Sequence, residues 1–486
     1  MHIHIVGVAG TGMGSLAGLL AELGHQVSGS DVAFDPPMGP ALAEWGVQCL
    51  QGFAPEHLVP APDLVVIGNV CRPSNVEARA AIDQGLPYTH IAGALSRFVL
   101  EETAPLVVAG THGKTTTASI AALLLERTGF HPGYLIGGLP NNFPRSFHAP
   151  GRRRLHTELT SAQRRTPFVL EGDEYDTAFF EKTAKFLHYR PEVAIVTSIE
   201  HDHIDIYPTL AAYVEAFQQL VQLVPEHGLI IANGADANVR RVVRSAKASV
   251  AFFALQGEDT GDVEPHWLAA PAQSGPEGAT FDLFAGGVAC GRFALRSSGR
   301  HNLKNALAAV AAAAQGYGAK LHQLGPALAE FAGVKRRQEV LSTAREITVY
   351  DDFAHHPSAV RETLAALSER HPGSRLIAVF EPRSATACRK LHQESYATAF
   401  AGADIVLLAP LGRADLPASE ALDLERLARE IGNQGKLSLA CTSLEQILER
   451  LSELSRPGDV VALLSNGSFG GMTHRVVERL ALEPGA

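Results

Sequence analysis

Short apolar runs alternate with longer stretches whose apolar residues recur every third or fourth position, almost from one end of the chain to the other. The short runs predict strands: Ile3–Val8, Leu64–Gly68, Leu106–Gly110, Phe168–Glu171, Val193–Thr197, Leu229–Ala232, Leu376–Phe380, Ile405–Ala409 and Val460–Leu464. Helical periodicity follows several of them, at Gly14–Leu23, Thr115–Arg127 and Ala359–Ser368. A further helix, Leu444–Leu454, starts just after Thr442 and Ser443, either of which could cap it. Strands that alternate with helices predict parallel sheets with helices on their faces, the α/β class. Two breaks divide the pattern, a polar stretch at Glu101–Pro105 and a basic one at Gly333–Arg337. Three α/β domains are therefore expected, at 1–104, 105–333 and 334–486. Pro144–Thr166 is rich in Arg, Pro and Ser and reads as an exposed loop or insertion.

Composition narrows the class. At 486 residues, 46% hydrophobic and 19% charged, the chain has ample core material but exceeds one core. A formal net charge of −10 argues against a protein that wraps nucleic acid, because no net positive field would gather phosphates. It leaves room for a local basic pocket. Five scattered cysteines, Cys49, Cys71, Cys290, Cys388 and Cys441, show no CxxC pairing and fit a reducing compartment. Met1 runs straight into an apolar strand without a basic leader, and no apolar run is long enough to span a membrane. The expectation is a cytoplasmic protein with neither membrane nor nucleic-acid partners.

The chemistry concentrates after the first break. Leu106–Ala109 leads into Gly110, Thr111, His112, Gly113, Lys114, Thr115, Thr116 and Thr117, and then into an Ala/Leu-rich helix. Strand, glycine turn, Lys-Thr and helix are the context of a phosphate loop. Glycines let backbone N–H groups face phosphate oxygens, and the helix N-terminus adds positive potential. Lys114 suits the β- and γ-phosphates, and Thr115 can offer its hydroxyl to Mg²⁺. The spacing departs from the common pattern, since Val108 stands where its first glycine would be.

Two acidic clusters follow predicted strands: Glu171, Asp173, Glu174 and Asp176, then Glu200, His201, Asp202, His203 and Asp205. Ligand sites in open α/β sheets lie beyond the carboxyl ends of strands, where both clusters would fall. By itself, His-Asp-His could hold a transition metal. Beside a phosphate loop it suits Mg²⁺.

A second glycine turn opens the chain: Gly7, Gly10, Thr11, Gly12, Met13 and Gly14 after a strand, with Asp31 ending the next strand. This approximates a dinucleotide fingerprint and alone suggests a nicotinamide enzyme. It specifies a diphosphate and a ribose, however, and not the base. A nucleotide sugar here and ATP at the second turn satisfy both.

Taken together, these motifs resemble the Mur ligase superfamily over nearly the whole chain. The resemblance rests on Gly10–Gly14, Gly110–Thr117, Glu171–Asp176, Ser198–Asp205, Arg300–Ala306 and Asp351–Pro357. It implies a three-domain fold with Rossmann-like N- and C-terminal domains and a central P-loop ATPase-type domain. It implies an ATP- and Mg²⁺-dependent ligase that forms an amide bond on UDP-N-acetylmuramate through an acyl phosphate, in peptidoglycan recycling. Segments such as Glu174–Phe180, Lys185–Pro191 and Phe380–Ser384 favour the murein tripeptide L-Ala-γ-D-Glu-meso-diaminopimelate as acceptor, with L-alanine the alternative.

By the same resemblance Lys114, Glu171 and His203 are catalytic, and Thr115, Glu171 and His203 hold the metal. Gly110, Thr111, His112, Gly113, Lys114, Thr115 and Thr116 contact ATP, together with Asn302 and Asn305. Arg336 or Arg337 and Asp351 would close on it from the third domain. Gly10, Thr11, Gly12, Met13, Gly14, Asp31 and Asn69 face the nucleotide sugar. Arg383, in the turn after a predicted strand of the third domain, is suited to pair with a carboxylate of the peptide. Some relatives use a carbamoylated lysine downstream of the metal histidine. No lysine lies between His203 and Lys247, so no such modification is expected here.

Overall fold

The computed structural model describes residues 1–151, 165–413 and 416–482. Three large sheets and one two-stranded hairpin, Asp176–Ala178 with Glu181–Ala184, carry the described residues. The first is all parallel, with strands ordered Gln48–Gln51, Gln26–Asp31, His2–Val6, Leu64–Ile67 and Tyr88–Thr89. The sequence reversal beside His2–Val6 creates the crevice at which such sheets bind ligands.

The central sheet has ten strands. Its middle is parallel and includes Ala104–Ala109, flanked by Pro167–Gly172 and Val193–Val196. These strands are apolar up to their carboxyl ends, where Glu171 stands, because both faces are covered. Leu106 and Val108 enter one core with helices Lys114–Arg127 and Arg300–Ala311. Val107 and Ala109 enter another, which continues without interruption into helix Thr11–Glu22 of the first sheet's layer. The period of two thus assigns alternate residues of one strand to different partners. The third sheet has six strands, centred on Thr348–Asp352, Val460–Leu464 and Leu376–Phe380, and all pair in parallel except the edge strand Glu339–Ser342. The three-domain α/β architecture is the expected one.

Element boundaries shift for local reasons. The first strand stops at Val6 because Gly7 turns to φ +83°. Helix Thr11–Glu22 starts three residues before its apolar periodicity, inside the glycine turn. Ser443, not Thr442, caps helix Leu444–Leu454, accepting from Gln446 N–H. Antiparallel strands Trp267–Gly275, Gly278–Ala285 and Val288–Leu295 extend the central sheet without a sequence prediction, because one of their faces is open to water and their apolar runs are broken.

Most of the Arg-rich stretch lies outside the described residues. Its beginning is not an exposed loop as expected. Phe147–His148 forms a short strand, and Phe147 is fully buried, edge-to-face on Trp45 at 4.7 Å and against Gly18. A single aromatic anchor is invisible in a polar composition window. All five cysteines are free thiols, and among the described residues no helix is long and apolar enough to cross a membrane.

Candidate active site

Strand Ala104–Ala109 is completely buried and delivers Gly110 to a loop that only glycine can build here. Gly110 sits at φ +137°, where a Cβ would lie 2.1 Å from Thr197 Oγ1. Gly113 sits at φ +82° directly before helix Lys114–Arg127, whose start has no side-chain cap. Its first N–H groups therefore lack a capping side chain, which suits an anion. The neighbouring strand end braces the loop. Thr111 N–H donates to the Ser198 carbonyl at 2.9 Å, and Thr197 Oγ1 donates to the His112 carbonyl at 2.6 Å.

Lys114 Nζ donates to the Gly110 carbonyl at 2.5 Å and to Glu174 Oε1 at 3.1 Å. Glu174 is fully buried, and the same oxygen lies 3.0 Å from Tyr213 Oη–H and 3.1 Å from His203 Nε2. Burial pushes its carboxyl up, but the Lys114 cation and His203 outweigh burial and hold it down at about 2. Burial lowers the pKa of His203, while Glu174 and Asp202 more than offset that, so its net direction is upward. His203 also occupies φ +53°, an uncommon conformation for a non-glycine residue, and stacks obliquely on Tyr175 at 4.1 Å.

Glu171 stands apart from that group. Its Oε2 accepts the Thr115 hydroxyl at 2.9 Å and its Oε1 accepts Gly137 N–H at 2.6 Å. Burial pushes its carboxyl upward despite Lys114, so a cation here would relieve an unfavourable charge. Thr115 hydroxyl and Glu171 carboxylate are a hard oxygen pair at the mouth of a phosphate loop, which fits Mg²⁺. The structure brings these two together and joins His203 to Glu174 instead.

The remaining expected residues separate by position. Thr111, His112, Gly113, Lys114, Thr115, Thr116, Asn302 and Asn305 line a cavity of about 1590 Å³. Thr11 and Gly12 line its far end, so one space joins the two glycine turns. Met13 is buried in the core, Gly14 packs helix against Met38, and Gly10 is exposed at the turn. Asp31 accepts Ala9 N–H at 2.9 Å and so shapes the turn from outside the cavity lining. Asn69 is exposed.

The two arginines left equal by the sequence part company. Arg337 reaches Thr115 Oγ1 at 3.4 Å and lies 4.7 Å over Phe353. Arg336 turns back, bonding the Ser465 and Gly467 carbonyls at 2.7 and 2.5 Å and Asp351 at 3.3 Å. Arg383 packs on Gly412 and Gly467, 3.6 Å from Glu381, outside the cavity lining. The sequence places Glu174 in the first acidic cluster without a role of its own, and Tyr213 in no motif. A buried Tyr on a helix carries no signal, whereas a further carboxylate three residues after Glu171 is the available clue.

Three family descriptions match the chain in order. They are Mur ligase family, catalytic domain, at 2–103; Mur ligase middle domain, at 108–313; and Mur ligase, glutamate ligase domain, at 336–467. The UDP-N-acetylmuramate–L-alanyl-γ-D-glutamyl-meso-2,6-diaminoheptandioate ligase of Escherichia coli (strain K12) is 36% identical over 482 residues, covering 99% of this chain and 98% of that protein. The chain belongs to the Mur ligase family. This Mur ligase is also similar to the crystal structure of a murein peptide ligase from Psychrobacter arcticus, at TM-score 0.72 and 33% identity, covering 99% of both chains. A UDP-N-acetylmuramate–L-alanine ligase of Roseiflexus sp. (strain RS-1) is 33% identical over 492 residues, covering 99% of both. Mur ligases are ATP-dependent, amide-forming enzymes, and ATP and Mg²⁺ are general to the family.

Proposed function

We propose that this Mur ligase joins the lactyl carboxylate of UDP-N-acetylmuramate to the amino group of L-Ala-γ-D-Glu-meso-diaminopimelate, converting ATP to ADP and phosphate. The observation that carries the reading is the single cavity running from the Thr11–Gly12 turn to the Lys114–Thr115 loop. The full-length likeness to relatives named for this reaction supports the acceptor. In this reading the three domains span 1–104, 105–333 and 334–486.

A carboxylate is a poor acyl donor because oxide is a poor leaving group. Transfer of the γ-phosphoryl group to the lactyl oxygen releases ADP, and attack of the peptide amine on the acyl phosphate then releases phosphate. Catalysis is mainly positioning and charge stabilisation. The loop N–H groups hold the phosphates, and Lys114 balances the β- and γ-oxygens, poised by Glu174. Thr115 and Glu171 would hold Mg²⁺, with His203 proposed as a further ligand, and the ion would supply charge neutralisation on the phosphates. Asn302 and Asn305 shape the nucleotide side, and Arg337 approaches from the third domain. Arg336 and Asp351 act there by fixing the segment that carries Arg337. Asp31, Asn69 and the turn Gly10–Gly14 serve the nucleotide sugar, and Arg383 offers its guanidinium to a peptide carboxylate.

The test is mass spectrometry of products formed from ATP, Mg²⁺ and UDP-N-acetylmuramate with the tripeptide and L-alanine offered in parallel. Tripeptide ligation with little alanine addition is the expected result. Alanine addition alone would overturn it in favour of the activity named for the Roseiflexus relative.

A further inference from the structure

Glu200 belongs to none of the roles above, yet two parts of the site meet on it. It follows strand Val193–Val196, and its backbone braces the phosphate loop. Glu200 N–H donates to Thr111 Oγ1 at 2.9 Å, and the Thr111 hydroxyl donates to the Glu200 carbonyl at 3.0 Å. Its carboxylate accepts the Ser358 hydroxyl at 2.6 Å and lies 3.5 Å from His112 Nε2 and 3.4 Å from His356 Nδ1. His112 is in the phosphate loop. His356 and Ser358 open helix Pro357–Arg370, which belongs to the third sheet's layer.

The three contacts differ in kind. Burial, with His112 and His392, drives the pKa of His356 down to about 3, so its approach to Glu200 is not an ion pair at neutral pH. The ring nitrogen it presents also accepts Ser358 N–H at 3.3 Å, which uses the lone pair that a metal would need. The group His112, Glu200 and His356 is therefore better suited to hydrogen bonding than to a cation. The charge-assisted bond from Ser358 is the firm link between the domains. Burial raises the Glu200 carboxyl, but His112 and Ser358 hold it down at about 2, so the acceptor is ionised at working pH.

We propose that Glu200 is a positioning residue that couples the nucleotide loop to docking of the C-terminal domain, through Thr111 and His112 on one side and Ser358 on the other. The proposal rests on the ligase reading. The reaction requires Arg337 and the peptide site to come onto ATP held by another domain. A carboxylate whose backbone fixes the loop and whose side chain captures the docking helix keeps those parts in register. Its effect falls on turnover, while nucleotide capture relies on the loop N–H groups and Lys114.

The experiment compares Glu200→Gln, Ser358→Ala and the double variant with the full-length wild type. Each single substitution is expected to lower kcat on the order of tenfold, with the KM for ATP changed by less than about twofold. The double variant should lose no more than the worse single, since both remove one bond. Small-angle scattering should show wild-type compaction with a non-hydrolysable ATP analogue and UDP-N-acetylmuramate, and less in either variant. Additive kcat losses would overturn the proposal. So would analogue affinity falling in step with kcat, which would reduce Glu200 to a support for the loop. Ser358→Ala touches no loop residue, so it remains decisive if Glu200→Gln folds poorly. A wild type that ligates neither acceptor would refute the functional reading, while scattering would still judge the coupling.

Discussion

Lys114 meets a fully buried carboxylate, and this pair sets the chemistry at the scale of single residues. Lys114→Ala is expected to cost about 3–4 kcal/mol of transition-state stabilisation, read as kcat/KM, by analogy with losing one preorganised donor. Near-full turnover would remove Lys114 from the ATP site. Glu174 carries a pH signature. Its folded value of about 2 lies below the ordinary 4.5, so its contribution to stability is complete above the unfolded value. That contribution fades as pH falls below 4.5 towards about 2. Denaturant titrations of Glu174→Gln and wild type should therefore differ most near neutrality and converge in acid. A gap that stays constant with pH would contradict the pairing. Glu171→Ala should shift the Mg²⁺ titration of activity more than His203→Ala, because Glu171 already shares a bond with Thr115. Unchanged titrations in both would exclude them as ligands.

At the scale of elements, the phosphate loop works because a buried strand and an uncapped helix meet through two left-handed glycines. Gly113→Ala places a methyl 2.3 Å from Asn305 Oδ1 at φ +82°. The backbone strain alone costs about 1–2 kcal/mol, and Asn305 must also move. Nucleotide affinity by calorimetry should fall at least about tenfold. Binding within about twofold of wild type would show that the loop tolerates the methyl. The glycines, the lysine and the helix were all readable from sequence, because each obeys a local rule. The partners of Glu174, the carboxylate that meets Lys114, were not, since Tyr213 comes from helix Leu210–Leu223 and His203 from a different strand end.

Across the whole molecule, adjacent arginines of identical chemistry acquire opposite tasks. Arg337→Ala should depress kcat with little change in Tm, because its guanidinium spans to Thr115. Arg336→Ala should lower Tm instead, since it bonds two carbonyls and Asp351 within the third domain. Calorimetric melts and kinetics on both variants check this pair together, and equal effects would refute the division. The cores explain why the layers hold as they do. The core shared by Val107, Ala109 and helix Thr11–Glu22 is continuous, whereas the third sheet has separate cores on its two faces and reaches the central site through polar contacts.

The sequence by itself determined the α/β class, the two glycine turns, the phosphate loop and the acidic clusters, because periodicity, positive-φ glycines and helix starts are local properties. It also determined membership of the Mur ligase family through ordered motifs. Tertiary structure decided which carboxylate Thr115 meets, which arginine faces the loop, and that Glu200 joins both sides of the site. Those outcomes depend on where strand ends and domains converge, and residues 29 to 222 positions apart carry no pairwise signal in one chain. It likewise placed Phe147 inside the core and Asn69 at the surface, because burial follows from packing and not from residue type alone.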